Sequence, residues 1–144
     1  MASPSKAVIP SASAEDRRAY LGLVQGVISR LANTSFLVKG WSVTVAGGLF
    51  AIGIGPNRWP VLALAEIMTA IFWGLDSSFL SCERAFRGLY NDVRLRPLSE
   101  IDFSMDFRRF QGRWAWFRAA KSPTLAFFYL PPLITISIFI LRRG

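Results

Sequence analysis

Two acids sit where an acid is hardest to keep. Glu66 and Asp76 interrupt an apolar stretch, Val61 to Leu80, and Lys39 is the one charge in another, Phe36 to Gly55. An ionisable group in hydrocarbon is costly enough that it must face protein or water. On a helix, the ten-residue separation sets the two carboxylates about 80° apart and about 15 Å along the axis. Thr69 and Trp73 fall within the same arc, so the helix carries a polar stripe of Glu66, Thr69, Trp73 and Asp76. Two kinds of chemistry are open to it. In one, Asp76 pairs with Lys39, because both lie near the same end of their stretches and a hairpin brings them to equal depth. In the other, the stripe lines a water-filled path. Repeated around an oligomer axis, Glu66 then forms a carboxylate ring that favours cations. Glu66 has no obvious cation at its depth.

Other chemistry is excluded by composition. The 144 residues include no histidine and one cysteine, Cys82. There is therefore no Cys/His zinc site, no Ser-His-Asp or Cys-His nucleophile and no internal disulfide. No metal, cofactor or catalytic residue is expected, and the chain does not read as an enzyme.

Apolar residues make up 52% of the chain and charged residues only 18%, where a soluble domain carries nearer a quarter. This composition points to an all-α integral membrane protein with about three transmembrane helices. Residues 1–13, rich in Ser, Ala and Pro, read as a disordered arm without a signal-peptide core. Ser13 and Asp16 make a capping-box-like start. From 14 to 35, Tyr20, Leu21, Val24, Val27, Ile28 and Leu31 recur at helical spacing, which predicts an N-terminal amphipathic helix. Asn33, Thr34 and Ser35 read as its bend or cap.

Residues 36–55 form a first span, diluted by glycines. Gly47, Ala51 and Gly55 make a small-residue stripe, suited to packing within a protomer or to a seam between copies. After the turn at 56–60, residues 60–80 form a second span and continue past it as an amphipathic helix that Pro97 ends. Within the segment 81–122, Phe103, Phe107, Phe110, Trp114 and Phe117 follow each other at four- and three-residue spacing, which predicts a basic, aromatic helix at the headgroup layer or against neighbouring helices. Residues 123–141 form a third span, which Pro131 and Pro132 should kink.

Charge sets the expected orientation. Residues 1–39 hold five Lys/Arg, the turn one, the segment 81–122 nine and the tail two. The positive-inside rule places the N-terminus and residues 81–122 in the cytoplasm. The formal charge of +8 then falls mostly beside the bilayer, whose anionic lipids attract it. Arg30, Arg84, Arg87, Arg108, Arg109 and Arg113 are the candidate contacts for phosphate, from lipid or from a nucleotide-type ligand.

Two blocks carry a resemblance. One is Ile28-Ser29-Arg30-Leu31-Ala32-Asn33-Thr34-Ser35-Phe36, continuing through Lys39-Gly40-Trp41-Ser42-Val43-Thr44. The other is Phe72-Trp73-Gly74-Leu75-Asp76 with Glu83-Arg84-Ala85-Phe86-Arg87-Gly88-Leu89-Tyr90 and Val93-Arg94. With Ile101-Asp102-Phe103-Ser104-Met105, they resemble the small bacterial three-span membrane effectors of anti-phage defence, of the Hailong-system type. The resemblance covers about residues 20–140. It implies a homo-oligomeric ion channel in the inner membrane, a tetramer among the candidate assemblies. It also implies a nucleotide or oligonucleotide signal from a partner nucleotidyltransferase that keeps the channel closed until infection. Asp76 lies inside these blocks and Glu66 outside them. The competing expectation is a structural membrane anchor or adaptor for a cytoplasmic enzyme, with the buried acids satisfied inside one protomer.

Overall fold

The computed structural model describes residues 13–142. The expected arm falls, apart from Ser13, outside the described residues. Four α-helices make up the fold: α1 (Ala14–Gly53), α2 (Trp59–Leu95), α3 (Ala115–Ala120) and α4 (Pro123–Leu141). No strand occurs among the described residues.

The capping box at Ser13 starts α1. The Ser13 hydroxyl accepts from the Asp16 N–H at 3.1 Å, and the Asp16 carboxylate accepts from the Ser13 N–H at 2.8 Å. The Ser13 N–H, and after it the Ser13 hydroxyl donating to the same carboxylate oxygen at 2.8 Å, hold the Asp16 carboxyl below its ordinary range. The helix then runs unbroken for 40 residues. The bend expected at Asn33-Thr34-Ser35 does not occur. Thr34 returns its hydroxyl to the Arg30 carbonyl, and Ser35 is drawn to α2, so neither side chain competes for the helix backbone in the way a cap would. The amphipathic segment and the first span are therefore one rod of about 60 Å, twice the hydrocarbon thickness.

A tight turn, with Asn57 at φ 56°, reverses the chain into α2. The close approach that makes this hairpin possible is Gly53. A β-carbon there would stand 2.5 Å from Leu62 Cδ2 and 3.2 Å from the Leu62 backbone nitrogen. From this point α1 and α2 pair antiparallel, through Ser35 against Asp76, to a distal cluster of Tyr20, Val24, Ile28, Phe86, Leu89 and Val93. α4 lies on α2 beside Leu62 and Ala65 through Ile136.

The seam changes character along its length. In the distal half the buried residues are large and apolar, as in a soluble core. In the half nearer the turn they are small or polar apart from Leu62, which packs on Gly53: Ser35, Ser42, Ala46 and Gly53 from α1, and Ala65, Thr69, Asp76, Ser77 and Ser81 from α2. There the large apolar side chains point outward, among them Phe36, Trp41, Ile52, Ile67, Ile71, Phe127 and Ile134. Small residues inside and large ones outside is the arrangement that lipid selects, because lipid gives no reason to bury a leucine. α1, α2 and α4 are each long and apolar enough to cross a membrane.

The helix expected over 103–117 does not form. Residues 101–107 are irregular, 108–110 make one 3-10 turn, and only Ala115–Ala120 is α-helical. Side chains compete for the backbone here. Asp102 accepts from the Ser104 N–H, Ser104 from the Asp106 N–H, and Asp106 from the Arg108 N–H, at 3.0, 3.3 and 3.0 Å. Each such turn replaces a helical bond, and Gly112 follows. Three of its five aromatics still contact the hairpin, while Trp114 and Phe117 stay exposed. Phe103 meets Tyr20 edge-on, Phe107 lies against Phe86, and Phe110 covers Gly88.

Two outcomes follow for the hairpin and its strap. Gly53→Val should lower stability by about 1–3 kcal/mol through overpacking, whereas Gly47→Ala, whose new methyl meets nothing within 4 Å, should stay within about 0.5 kcal/mol. Unfolding in mixed micelles reads both. The Tyr20 hydroxyl donates to the Ser104 carbonyl at 2.7 Å. Burial, then Asp102, raise this phenol's pKa, with Arg109 opposing them. The clamp is therefore complete below about pH 10 and is lost as pH rises through the higher folded value. Amide exchange in residues 101–107 should quicken there, and in Tyr20→Phe it should be fast at every pH.

Candidate functional site

The centre of the molecule is a polar knot joining all three long helices. Lys39 on α1 places Nζ 2.6 Å from Asp76 Oδ2 on α2. The Ser35 hydroxyl donates to Asp76 Oδ1 and accepts from Lys39 Nζ at 2.8 Å. The Tyr129 hydroxyl on α4 donates to Asp76 Oδ2 at 3.2 Å. Asp76 is 0% exposed, while the Lys39 side chain keeps 20% of its surface. Helical geometry dictates this convergence. Ser35 and Lys39 are one turn apart on α1 and so reach one acceptor together. The knot is neutral, and every oxygen of the carboxylate is engaged, which is the condition for a buried pair to persist.

Trp73 closes the knot from one side. Its ring stacks on Tyr129 at 6.3 Å between centroids, and its indole N–H donates to the Ala120 carbonyl at 3.1 Å, the last residue of α3. Thr69, 1% exposed, returns its hydroxyl to the Ala65 carbonyl. It also floors a cleft of about 360 Å³ between α1 and α4, lined by Ser42, Ala46, Gly47, Phe50, Phe128 and Pro132 among others.

Glu66 stands apart from this knot. Its carboxylate accepts from Ser137 of α4, and among the described residues no basic group pairs with it. Ser137 lies two residues, about 200°, around α4 from the cleft-lining Thr135, so Glu66 occupies the opposite flank.

The polar stripe of Glu66, Thr69, Trp73 and Asp76 thus shares a helix face, but within one chain Trp73 and Asp76 are enclosed by α1, α3 and α4 rather than open to a path. Of the small-residue stripe, Gly47 borders the cleft, Ala51 is exposed and Gly55 packs against Arg58. The tightest contact belongs to Gly53, off that stripe. The basic residues scatter. Arg87 pairs with Glu83 at 2.8 Å, and Arg109 with Asp92 at 3.1 Å while covering the Phe110 ring. Arg84 donates to the Arg118 carbonyl at 3.3 Å. Arg30, Arg108 and Arg113 are exposed. α4 remains helical through Pro131 and Pro132; the two prolines have no N–H for the carbonyls of Phe127 and Phe128.

From the sequence, Ser35 was expected only as part of a bend or cap, and Tyr129 and Ser137 were not singled out. Ser35 carried a signal in its one-turn spacing from Lys39. Tyr129 and Ser137 carried a weaker one, as hydroxyls in a span with no charge. No group of His, Cys, Asp or Glu among the described residues is placed to hold a metal ion.

No family model matches this chain, and no curated protein or solved structure is similar to it.

Breaking the knot on one side leaves a charge stranded. Asp76→Ala and Lys39→Met should each cost about 3–5 kcal/mol, and the double variant Lys39→Met/Asp76→Leu should recover most of the loss. Tyr129→Phe should cost about 1 kcal/mol. Unfolding in micelles measures all four.

Proposed function

We propose that the chain is a subunit of a homo-oligomeric cation channel in the bacterial inner membrane, with residues 81–122 on the cytoplasmic side. The observation that carries this reading is Glu66. A carboxyl group inside a membrane span, in the half nearer the turn, has a serine as its sole partner among the described residues and no basic partner in its own protomer. Copies arranged around an axis would bring these carboxylates together, where they attract cations. A lone protomer of three spanning helices encloses no path, so the reading requires assembly. Gly47 and Ala51, with open space around them, are free to form the contact between copies. In this reading the Lys39–Asp76 knot is the fixed scaffold and Glu66 the ion-facing group.

The sequence blocks around Arg30, Lys39, Asp76 and Arg84 support a role as a depolarising effector of anti-phage defence, kept shut by a nucleotide-type signal bound at cytoplasmic arginines. A second reading, a membrane anchor for a cytoplasmic enzyme, is favoured by the way Asp76 is satisfied inside one chain.

Flux into proteoliposomes separates the two. The channel reading expects cation flux that Glu66→Gln strongly reduces while leaving assembly intact. Impermeable liposomes carrying assembled protein, whether or not the signal is added, would overturn it. A monomer in detergent that co-purifies with a soluble enzyme would establish the anchor instead.

A further inference from the structure

A second polar feature lies outside the knot, where the hairpin leaves the apolar zone. α3 is pinned to α2 by Trp116, whose indole N–H is shared between the Gly74 carbonyl at 3.2 Å and the Ser78 hydroxyl at 3.1 Å. This places the short helix level with the last turn of the apolar stretch that ends at Leu80. Its outward side chains are aromatic, with Trp114 63% and Phe117 50% exposed. Indole rings with one wet edge collect at the membrane–water boundary.

Above them is a cavity of about 260 Å³, lined by Ser81, Arg84, Ala85, Phe110, Ala115 and Arg118. Arg84 lies four residues past Leu80, about 6 Å along the helix axis. The headgroup layer fills roughly the first 5–8 Å outside the hydrocarbon, so the guanidinium root sits at phosphate depth.

The charge of this cavity is uncompensated. From Arg108 to Lys121 the sequence contains five basic residues and no acid. The nearby acids are spoken for, Glu83 by Arg87, and Asp92 by Arg96 and Arg109. No carboxylate pairs with Arg84 or Arg118 among the described residues. Arg84 reaches the Arg118 carbonyl through Nη1, which leaves its remaining donors available. Arg118 is held over Gly112, where a β-carbon would stand 3.0 Å from its Nη2. A glycine there keeps the guanidinium in place beside the cavity.

We propose that Arg84 and Arg118 form a cradle for the phosphate of an anionic phospholipid, with Trp114 and Phe117 seated among the adjoining acyl chains. Guanidinium groups grip phosphate through paired N–H donors, and two of them facing one cavity favour a lipid of net negative charge over a zwitterion, whose own cation they repel. The bound lipid ties the irregular segment 97–122 to the bilayer surface. The assignment does not depend on ion conduction, and a protein that passes no ions would still bind the lipid.

Native mass spectrometry of the delipidated full chain, titrated with phosphatidylglycerol or phosphatidylcholine, tests it. Phosphatidylglycerol should be retained preferentially, and Arg84→Gln/Arg118→Gln should weaken it by about fivefold for each arginine. Arg94→Gln, which removes an exposed charge from the same helix away from the cavity, should leave retention unchanged. Gly112→Ala keeps every charge but displaces the Arg118 guanidinium, so it should also weaken retention and decides the matter where the double variant fails to fold. Equal retention of the two lipids, or losses equal to those of Arg94→Gln, would overturn the cradle. Displacement of phosphatidylglycerol by millimolar inorganic phosphate or a nucleotide would reassign the arginines to a soluble ligand and overturn the lipid.

Discussion

The structure depends on one constraint. A carboxylate that enters hydrocarbon must be matched before anything else can settle. Asp76 meets this by drawing Lys39 and Ser35 from α1 and Tyr129 from α4 onto a single point of α2. Because the lysine comes from one neighbour and the phenol from the other, satisfying one side chain fixes the position of three helices. Apolar packing alone would not do this inside a bilayer, where lipid tails compete for leucine as well as a neighbouring helix does.

Around that point the same hairpin serves two solvents. Beyond the membrane it buries Tyr20, Val24, Phe86 and Leu89, because water rewards the removal of apolar surface. Within the apolar zone it buries serines, alanines, a glycine and Leu62, and turns most of its other large residues outward. The change occurs without a break in either helix. A rod twice the hydrocarbon thickness can thus carry a membrane-crossing half and a water-facing platform in one register. Trp73 and Trp116 brace the junction by donating to backbone carbonyls on neighbouring elements. Glu66 is the exception, since among the described residues it has a serine for a partner and no basic group.

Some of this was legible from spacing alone. Three helices long and apolar enough to cross a membrane follow from apolar length with few charges, and the position of Lys39 relative to Asp76 follows from the hairpin. The cap at Ser13 was equally plain. The stretch 103–117 was misleading for a definite reason. Its aromatics have helical spacing, and Phe107 and Phe110 do reach the core, but Asp102, Ser104 and Asp106 hydrogen-bond the local backbone and unwind it. Alternating Asp and Ser before a glycine was the contrary signal. Residues 33–35 misled in the opposite direction, as polar residues that look like a cap, whereas Thr34 bonds back to its own helix and Ser35 serves Asp76 on α2.

What the sequence determined by itself was that three stretches form helices long and apolar enough to cross a membrane, because hydrophobic length and the placement of charge are one-dimensional properties. It thereby determined that the acids in the second span needed partners. Which partners they found was decided only by tertiary structure. Tyr129 and Ser137 come to their carboxylates from residues 53 and 71 positions away, and such meetings depend on the rotation of α4 about its own axis. That rotation is set by Leu125, Tyr129 and Ile136 turning inward together. The third span is apolar on every face, so no pattern in it could say which side would turn toward α2.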